Sequence, residues 1–404
     1  MVTTTHPVTW LTPHRLSFKA LPPLSLYIHI PWCVRKCPYC DFNSHELRGD
    51  LPETQYVQAL LKDLEGALPQ VWGRRVHTVF FGGGTPSLLS AAALDALLSG
   101  VRARLPLDPD AEITLEANPG TFEAAKFAEF HALGVNRLSI GVQSFNPRHL
   151  QALGRIHDDE QARRAIEIAQ RSFDNVNLDL MYALPGQTLL EAEADLAAAI
   201  DFGPQHLSVY HLTLEPNTYF ARFPPALPDD EIAADMQQAA ESTLAQSGYE
   251  HYETSAFARP GRQSRHNLNY WRFGDYLGIG AGAHSKISFP DRVVRQARCK
   301  HPREYLERVG DGTDWYTEHE VSIDELPFEF MMNALRLIDG FDMALFEERA
   351  GLPMAAAARP LAAAERLGLI ERNHLRIMPT LEGQRFLNDL LQLFLEEGNE
   401  GRRE

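Results

Sequence analysis

Short hydrophobic segments with strand composition alternate with amphipathic helical segments between residues 24 and 258. The strand-like segments are LSLYIHI (24–30), HTVFFGGG (77–84), AEITLEAN (111–118), RLSIGVQS (137–144), NVNLDLMYA (175–183) and HLSVYHLTL (206–214). Between them, stretches such as DDEQARRAIEIAQRS (158–172) place apolar residues three or four positions apart, as a helix covering one face of a sheet requires. This alternation predicts a parallel sheet with right-handed crossovers.

The number and order of these units predict how the chain is divided. Six units are fewer than the eight of a closed barrel, so we expect an α/β fold with a partial (β/α)6 barrel over residues 24–258. A doubly wound sheet is the alternative. Residues 320–395 contain three short helical segments and a hairpin pattern, which predict a small winged-helix-like α+β module. We expect an N-terminal extension at 1–23, a less regular connecting or capping region at 259–319, and a polar tail at 396–404.

The overall charge and the lengths of the apolar runs exclude several classes of protein. A net charge of −16 argues against a general nucleic-acid binder, because contacts with phosphates need clustered Lys and Arg. The C-terminal module is rich in Glu, which favours a structural or protein-contact role over DNA binding. The apolar runs are too short for a membrane-spanning helix, and no signal peptide is readable. We therefore expect a cytoplasmic protein.

Three of the four cysteines, Cys33, Cys37 and Cys40, lie in one C-x3-C-x2-C segment directly after the first strand. Three thiolates in one loop can hold three corners of an iron–sulfur cube and leave one iron open to a small molecule. The alternative is a zinc site whose fourth ligand is His29, His45 or Cys299. Structural zinc usually uses two paired motifs, and the sequence has no second pair.

Further polar and glycine residues follow the other strands, where parallel α/β folds place their chemistry. Glycines at 82–84 would expose peptide groups to a ligand, although a plain strand-to-helix turn also uses glycine. Glu116 could accept hydrogen bonds from ribose hydroxyls. Gln143, Arg155 and Asp179 could hold polar groups deeper in the same mouth, or could instead cap helices or form surface pairs. Together they are compatible with a nucleoside ligand.

Five segments carry a resemblance to a known family: YIHIPWCVRKCPYCDFNS, FFGGGTPS, LEANPG, RLSIGVQSF and NLDLMYALPGQT. Together they resemble the oxygen-independent coproporphyrinogen oxidase family of radical S-adenosylmethionine proteins. The resemblance implies a [4Fe–4S] cluster held by Cys33, Cys37 and Cys40, S-adenosylmethionine on its fourth iron, and an electron donor for the cluster. The residues it implies around the cofactor are Tyr27, Tyr39, Gly83, Gly84, Thr85, Glu116, Gln143, Arg155, Asp179 and Thr213.

Two departures point to one branch of that family. The oxidases carry a further cysteine two residues after the third, where this chain has Phe42. They also have a longer N-terminal arm than the 23 residues that precede the first strand here. Both features resemble the HemW branch, whose members are regarded as heme chaperones. This resemblance implies heme as a ligand and a heme-acceptor protein, such as a respiratory-chain protein, through which the chain would contact a membrane.

The segment HNLNYW also resembles a HemW signature and contains candidate heme-binding residues, His266, Tyr270 and Trp271. Imidazole ligates heme iron, and aromatic rings pack against a porphyrin. The alternative is a packed aromatic turn with a hydrogen-bonded histidine. His284 is a second candidate ligand.

Three functions follow from these patterns. The first is a heme chaperone that carries a cluster and S-adenosylmethionine. The second is an oxygen-independent coproporphyrinogen III oxidase, and the third is a structural zinc protein with a regulatory winged helix. The sequence names no catalytic residue and leaves open whether the chain is an enzyme.

Overall fold

The computed structural model describes residues 16–120 and 124–395. Most of the expected N-terminal extension and the whole expected tail at 396–404 lie outside the described residues. The strands of the described residues are β1 (Leu24–Ile30), β2 (Trp32–Cys33), β3 (His45–Glu46), β4 (Val76–Gly83), β5 (Leu107–Ala117), β6 (Arg137–Gln143), β7 (Val176–Tyr182), β8 (His206–His211), β9 (Glu250–Glu253), β10 (Ala256–Ala258), β11 (Asp275–Ile279), β12 (His284–Ser288), β13 (Val293–Arg298), β14 (Tyr316–Glu320), β15 (Phe341–Asp342), β16 (Ile370–Arg372) and β17 (Arg376–Pro379).

Helices follow most of these strands and cover the sheet. The α-helices are Glu53–Val71, Ala91–Arg104, Phe127–Ala132, Pro147–Ala152, Asp159–Ser172, Leu189–Asp201, Tyr219–Arg222, Asp230–Gln246, Arg265–Trp271, Pro302–Asp311, Leu326–Ala334, Met343–Ala350, Ala358–Arg366, Leu381–Arg385 and Leu387–Gln392. None of the helices in the described ranges combines the length and apolar character that crossing a membrane requires.

The main sheet runs in the order β14-β13-β12-β11-β1-β4-β5-β6-β7-β8-β10-β9. Strands β1 and β4 to β8 are parallel neighbours, each joined to the next by helices. The six strands predicted from the sequence are these six, so the expected partial (β/α)6 arrangement is confirmed. Their carboxyl ends meet at one edge of the sheet, which we call the mouth.

Alternation along β1 shows how the sheet divides its two faces. Leu26 and Ile28 are 0% exposed and belong to the main hydrophobic core. Ser25, Tyr27 and His29 alternate with them along the strand. Their side chains point to the other face and contact side chains of the barrel interior. A strand has a side-chain period of two, so a run buried on both faces can carry a polar lumen and an apolar outer layer at once.

Side-chain caps fix where the helices begin after the mouth loops. Asp158 accepts a hydrogen bond from the Gln161 backbone N–H at 2.8 Å, and the Gln161 side chain accepts from the Asp158 N–H at 3.1 Å. Thr188 and Glu191 form the same reciprocal pair before the helix Leu189–Asp201. A cap of this kind contributes about 0.5 to 2 kcal/mol. The loops that precede these helices are therefore anchored at defined positions.

The region at 259–319, expected to be less regular, instead extends the main sheet. Strand β11 pairs parallel with β1, and β12, β13 and β14 continue antiparallel from it. Asp63 holds this extension against the helix Glu53–Val71, because its buried carboxylate accepts hydrogen bonds from Tyr305 Oη and Trp315 Nε1, both at 2.9 Å, and pairs with Arg298. The region is therefore more regular than its composition suggested, and its role as a connecting or capping region stays a prediction.

The C-terminal module has its own hydrophobic core and its own three-stranded sheet, β15-β17-β16. The three predicted helices and the hairpin are present, which confirms the winged-helix-like α+β pattern. The module contacts the barrel through ion pairs of Arg336 with Glu253 and of Arg295 with Glu329. These contacts attach it at the side of the sheet where the helix Arg265–Trp271 lies.

Candidate cofactor site

The three clustered cysteines lie on one closed loop at the mouth, between β1 and the helix Glu53–Val71. Strands β2 and β3 pair at the two ends of the loop. The ammonium group of Lys36 crosses it and donates hydrogen bonds to the carbonyl oxygens of Phe42 and Ser44, at 3.2 and 3.1 Å. The loop therefore holds Cys33, Cys37 and Cys40 close together although their spacing in the sequence is irregular.

Each thiol lies near a hydrogen-bonding side chain. Arg155 Nη1 lies 3.6 Å from Cys37 Sγ, and Ser44 Oγ lies 3.5 Å from Cys40 Sγ. Burial, opposed by a hydrogen bond with the Thr85 side chain, raises the pKa of Cys33. Nearby negative charge on the other two thiols raises that pKa further, which shows that the three sulfurs share one electrostatic environment.

This donor set fits three corners of an iron–sulfur cube. Cluster ligation needs several thiolates in one loop with hydrogen-bond donors aimed at the sulfurs, and the loop provides both. In such a cube each thiolate binds a different iron, so the three sulfurs need not converge on one ion. In residues 16–120 and 124–395, no three His, Cys, Asp or Glu side chains converge as ligands of a single ion.

The histidines considered as zinc ligands make other contacts. His29 Nδ1 lies 3.0 Å from Tyr27 Oη, and His29 Nε2 lies 2.8 Å from the Asn43 carbonyl oxygen. Burial lowers the pKa of His29 to about 4, so the ring is neutral at physiological pH. His45 Nε2 is 3.3 Å from Asn43 Oδ1. Both imidazoles hold the cysteine loop in place, which favours the cluster over the zinc alternative.

The glycine turn after β4 packs directly against the cysteine loop. Gly83 has a φ of +114°, and a Cβ there would lie 2.5 Å from the His29 ring. A Cβ on Gly84 would lie 2.5 Å from the Trp32 carbonyl oxygen. The N–H of Gly84 donates to Ile30 O, and the N–H of Thr85 donates to Trp32 O. Glycine is thus required here by close approach, and the turn borders the cluster loop as a ligand cradle would.

Two partly buried carboxylates, Glu116 and Asp179, lie near this turn. Glu116 Oε2 accepts a hydrogen bond from the Gly83 N–H at 3.1 Å. Asp179 accepts from Ser139 Oγ at 3.1 Å and from Asn177 Nδ2 at 2.8 Å. Burial, and then repulsion from Asp179, raises the pKa of Glu116 to about 8. Strongly perturbed carboxylates in a mouth are typical of ligand sites, since a hydroxyl group of a ligand can donate the hydrogen bond that water no longer supplies.

Of the other predicted cofactor residues, three lie near the cysteine loop or at a strand end of the mouth, and one does not contact them. Gln143 ends β6 with a φ of 68°, a strained value for a residue with a side chain and one that concentrates at functional sites. Tyr39 packs against Phe220 beside the cysteine loop. Tyr27 lies next to the turn, because a Cβ on Gly82 would approach its ring to 3.0 Å. Thr213 is exposed and donates to Glu215, so the structure does not bring it into contact with the others.

Sequence reasoning left two residues of this site without a role: Asn118, which follows the third predicted strand and lies in the LEANPG segment, and Ser44. Asn118 accepts a hydrogen bond from Arg155 and donates one to Thr85, at 2.6 and 2.9 Å. Its place directly after a strand was a usable signal. Ser44, which contacts Cys40, had no such signal in the sequence.

The HNLNYW segment forms the helix Arg265–Trp271, toward the amino ends of β1 and β4 and away from the mouth. His266 is 2% exposed; its Nδ1 lies 2.7 Å from Thr78 Oγ1, and its ring stacks on Phe80 with a centroid separation of 4.9 Å. Its Nε2 is buried without a hydrogen-bond partner. Trp271 stacks under the guanidinium of Arg336, 4.3 Å from the ring centroid. The second candidate ligand, His284, is exposed at the start of β12.

Comparison with known proteins identifies the family. A model of the radical SAM superfamily matches residues 27–199, and one of the HemN C-terminal domain matches residues 321–386. The heme chaperone HemW of Escherichia coli (strain K12) is 51% identical over 382 residues, covering 93% of this chain and 99% of that protein. HemW of Bacillus subtilis (strain 168) is 34% identical over 384 residues, covering 92% of this chain and 99% of that protein.

A solved structure supports the same relationship. Coproporphyrinogen III oxidase (HemN) from Escherichia coli, described as a radical SAM enzyme, superposes with a TM-score of 0.79 at 27% identity. The superposition covers 93% of this chain and 90% of HemN. Sequence identity is thus higher with these two HemW proteins than with HemN, whose fold this chain shares. The chain belongs to the HemW family of radical SAM proteins.

Proposed function

We propose that this chain is a heme chaperone: it binds heme and passes it to an acceptor protein. It also carries a [4Fe–4S] cluster on Cys33, Cys37 and Cys40, with S-adenosylmethionine at the open iron. The observation that carries the proposal is similarity to heme chaperones along nearly the full chain, 51% in one case. Phe42 supports it, since this residue replaces the additional cysteine of the oxidases and is 63% exposed beside the cluster loop.

The mouth residues support a bound S-adenosylmethionine. When bound, the cluster would supply single electrons to the S-adenosylmethionine coordinated to its open iron. Gly83, Gly84 and Thr85 would lie along the methionine part, because the turn admits close approach of a ligand to the backbone. The carboxylates of Glu116 and Asp179 would accept hydrogen bonds from ribose hydroxyls. These bonds would offset the desolvation that raises the pKa of both groups. The remaining contacts proposed are Tyr27, Tyr39, Gln143, Arg155 and Thr213.

His266 is the heme ligand that we propose, and its hydrogen bonds support this role. Thr78 donates its own hydroxyl proton to Ser25 Oγ at 2.8 Å, so its oxygen accepts from His266 Nδ1–H. That tautomer leaves the lone pair on Nε2, which has no partner. Burial lowers the pKa of His266 to about 3, so the lone pair stays available at physiological pH. A metal-ligating histidine is usually oriented in this way through its other nitrogen.

Because Nε2 is buried, heme binding at His266 requires the helix Arg265–Trp271 to move. Tyr270 and Trp271 lie at the end of that helix and would pack against the porphyrin once they leave their contacts with Tyr276 and Arg336. The movement would transmit heme binding to the C-terminal module.

Anaerobic heme titration tests the proposal. The reconstituted wild-type protein should give a saturable Soret change at one heme per chain, and a coproporphyrinogen assay run in parallel should give no protoporphyrinogen. A flat titration contradicts the chaperone function, and product formation at the rate of a control oxidase supports the enzyme instead. His266→Ala should lose heme affinity with an unchanged cluster spectrum. His284→Ala is the matched control, and selective loss of affinity there would move the ligand to His284.

Partners and location follow from this function. The acceptor would be a respiratory-chain protein, through which the chain contacts the membrane, and a separate electron donor would reduce the cluster. The chain would do this work in the cytoplasm. Crosslinking in cells followed by fractionation would test these predictions, and recovery of the chain without any heme protein would contradict the proposed acceptor.

A further inference from the structure

We propose that Asn118 is a positioning residue that directs hydrogen bonds onto two of the cluster-holding cysteines and thereby raises the reduction potential of the cluster. The inference rests on the cluster of the proposed function and adds Asn118, which is not among the cofactor residues that the family resemblance implies. Asn118 forms hydrogen bonds with Thr85 and Arg155, and it acts on the thiols through these two residues.

Asn118 lies directly after β5, where the carboxyl end of the strand reaches the mouth. Its Oδ1 accepts a hydrogen bond from Arg155 Nη2 at 2.6 Å. Its Nδ2 donates a hydrogen bond to Thr85 Oγ1 at 2.9 Å. One amide thus joins the loop after β4 to the segment that follows the helix Pro147–Ala152.

The direction of these hydrogen bonds is fixed by Arg155. A guanidinium has only donors, so the oxygen of the Asn118 amide must face it. The amide nitrogen then faces Thr85, whose oxygen must accept. The hydroxyl proton of Thr85 is therefore free to point to another acceptor. The Thr85 N–H donates to the Trp32 carbonyl oxygen at 2.8 Å, which places this side chain next to Cys33 in the fold, and we take the Cys33 sulfur as that acceptor. Burial raises the pKa of the Cys33 thiol, and the Thr85 hydroxyl opposes this rise, as a hydrogen bond to that sulfur would.

The other branch reaches Cys37. Arg155 Nη2 is held by two acceptors, Asn118 Oδ1 and the Gly141 carbonyl oxygen at 2.7 Å. These bonds orient the planar guanidinium so that Nη1 lies 3.6 Å from Cys37 Sγ. Asn118 therefore orients the donors that reach Cys37 and Cys33. Ser44 lies 3.5 Å from the Cys40 sulfur and also opposes the rise that burial causes in the pKa of Cys33.

Packing and hydrogen bonds hold this arrangement together. A Cβ on Gly141 would lie 2.9 Å from Gln143 Nε2, 3.4 Å from Arg155 Nη2 and 3.7 Å from Asn118 Oδ1. The three side chains thus lie together above Gly141, and the hydrogen bonds of Arg155 with Asn118 Oδ1 and the Gly141 carbonyl oxygen set their orientation.

Hydrogen bonds to the sulfurs of an iron–sulfur cluster stabilise its more negative, reduced form and so raise its potential. Asn118→Asp keeps the shape of the side chain but replaces the donor that faces Thr85 with an acceptor. Thr85 must then donate to the carboxylate and no longer to Cys33. The substitution therefore removes one hydrogen bond from the cluster without removing any atom from it.

The test is an EPR-monitored redox titration of the reconstituted full-length protein without S-adenosylmethionine. Asn118→Asp should shift the midpoint potential to a more negative value, with unchanged iron and sulfide content. An unshifted potential overturns the inference. Thr85→Val, which removes the same hydroxyl without adding charge, should also lower the potential, and Thr85→Ser should restore it.

A double variant separates the added charge of the aspartate from the reversed hydrogen bond. If Asn118 acts through Thr85, the shift in the Thr85→Val, Asn118→Asp double variant is smaller than the sum of the single shifts. A full sum overturns the relay through Thr85. Heme titration of the same proteins is an independent measurement. If the wild-type protein does not bind heme but the potentials shift as expected, the proposed function is refuted and the role of Asn118 is not. A wild-type chain that assembles no cluster refutes both.

Discussion

Glu116 lies in the proposed cofactor site, and its ionisation should lower the free energy of unfolding as the pH rises. Replacing it by Gln should remove this pH dependence. Burial and the charge of Asp179 raise the pKa of Glu116 from its ordinary value of 4.5 to about 8. A raised pKa means that the folded state binds the proton more tightly than the unfolded state. The stability this proton contributes is fully present below about pH 4.5 and is lost as the pH rises through about 8.

The size of the effect follows from the shift. Each pKa unit corresponds to about 1.4 kcal/mol, so the ionisation of Glu116 removes on the order of 4 kcal/mol between those limits. Glu116→Gln should therefore be more stable than the wild type at pH 8 by a few kcal/mol and similar at pH 4.5. Above about pH 8, where Glu116 is ionised, the variant's affinity for S-adenosylmethionine should fall about tenfold or more, since it loses a charge-assisted hydrogen bond of about 1.5 to 3 kcal/mol.

Urea denaturation at pH 5 and pH 8 measures the free energy of unfolding, and calorimetric titration measures cofactor affinity. Glu167→Gln is the control, since Glu167 is an exposed carboxylate on the helix Asp159–Ser172. Equal pH dependence in wild type and Glu116→Gln would refute the reasoning. So would a Glu167→Gln variant that reproduces the gain at pH 8.

Three further substitutions test other parts of the structure. Asp63→Ala should cost about 3 to 5 kcal/mol of unfolding free energy in urea, since it leaves the buried charge of Arg298 without its partner; a loss below about 1 kcal/mol would mean that the pair is not buried in solution. Cys40→Ser should abolish the iron–sulfur absorbance and Cys299→Ser should preserve it; the reverse would remove the cluster from this loop. Gly84→Ala should weaken S-adenosylmethionine binding, because its methyl group would lie 2.5 Å from a carbonyl oxygen; unchanged affinity in calorimetry would show that the turn tolerates a side chain.

The sequence predicted the parts of the fold that depend on local pattern. The six barrel strands and the C-terminal helices have periodic apolar residues and clear boundaries, and the cysteine spacing is itself a local signal. The extension of the sheet was missed because β13 carries Gln296 and Arg298, which no strand pattern marks as buried. Their burial depends on distant partners: Arg298 pairs with Asp63, 235 residues before it, and Gln296 donates to Gln70, 226 residues before it.

For the site, too, the sequence predicted what depends on local position and missed what depends on contacts between distant residues. Residues at strand ends could be assigned to the mouth because parallel strands bring their carboxyl ends together. The position of His266 could not be predicted, since its hydrogen-bond partner Thr78 is 188 residues away. Asn118 is a further case, because its role arises only where Arg155 and Thr85 meet it in space.

The central claim is that this chain delivers heme, and the rate of heme transfer tests it most directly. The heme-loaded protein is mixed with an apo-form of a candidate respiratory-chain acceptor or with a passive heme scavenger, and the Soret spectrum is followed in time. A chaperone should transfer heme to the acceptor faster than it releases heme to the scavenger, with a rate that rises with acceptor concentration. Equal rates, set by dissociation alone, would contradict the account.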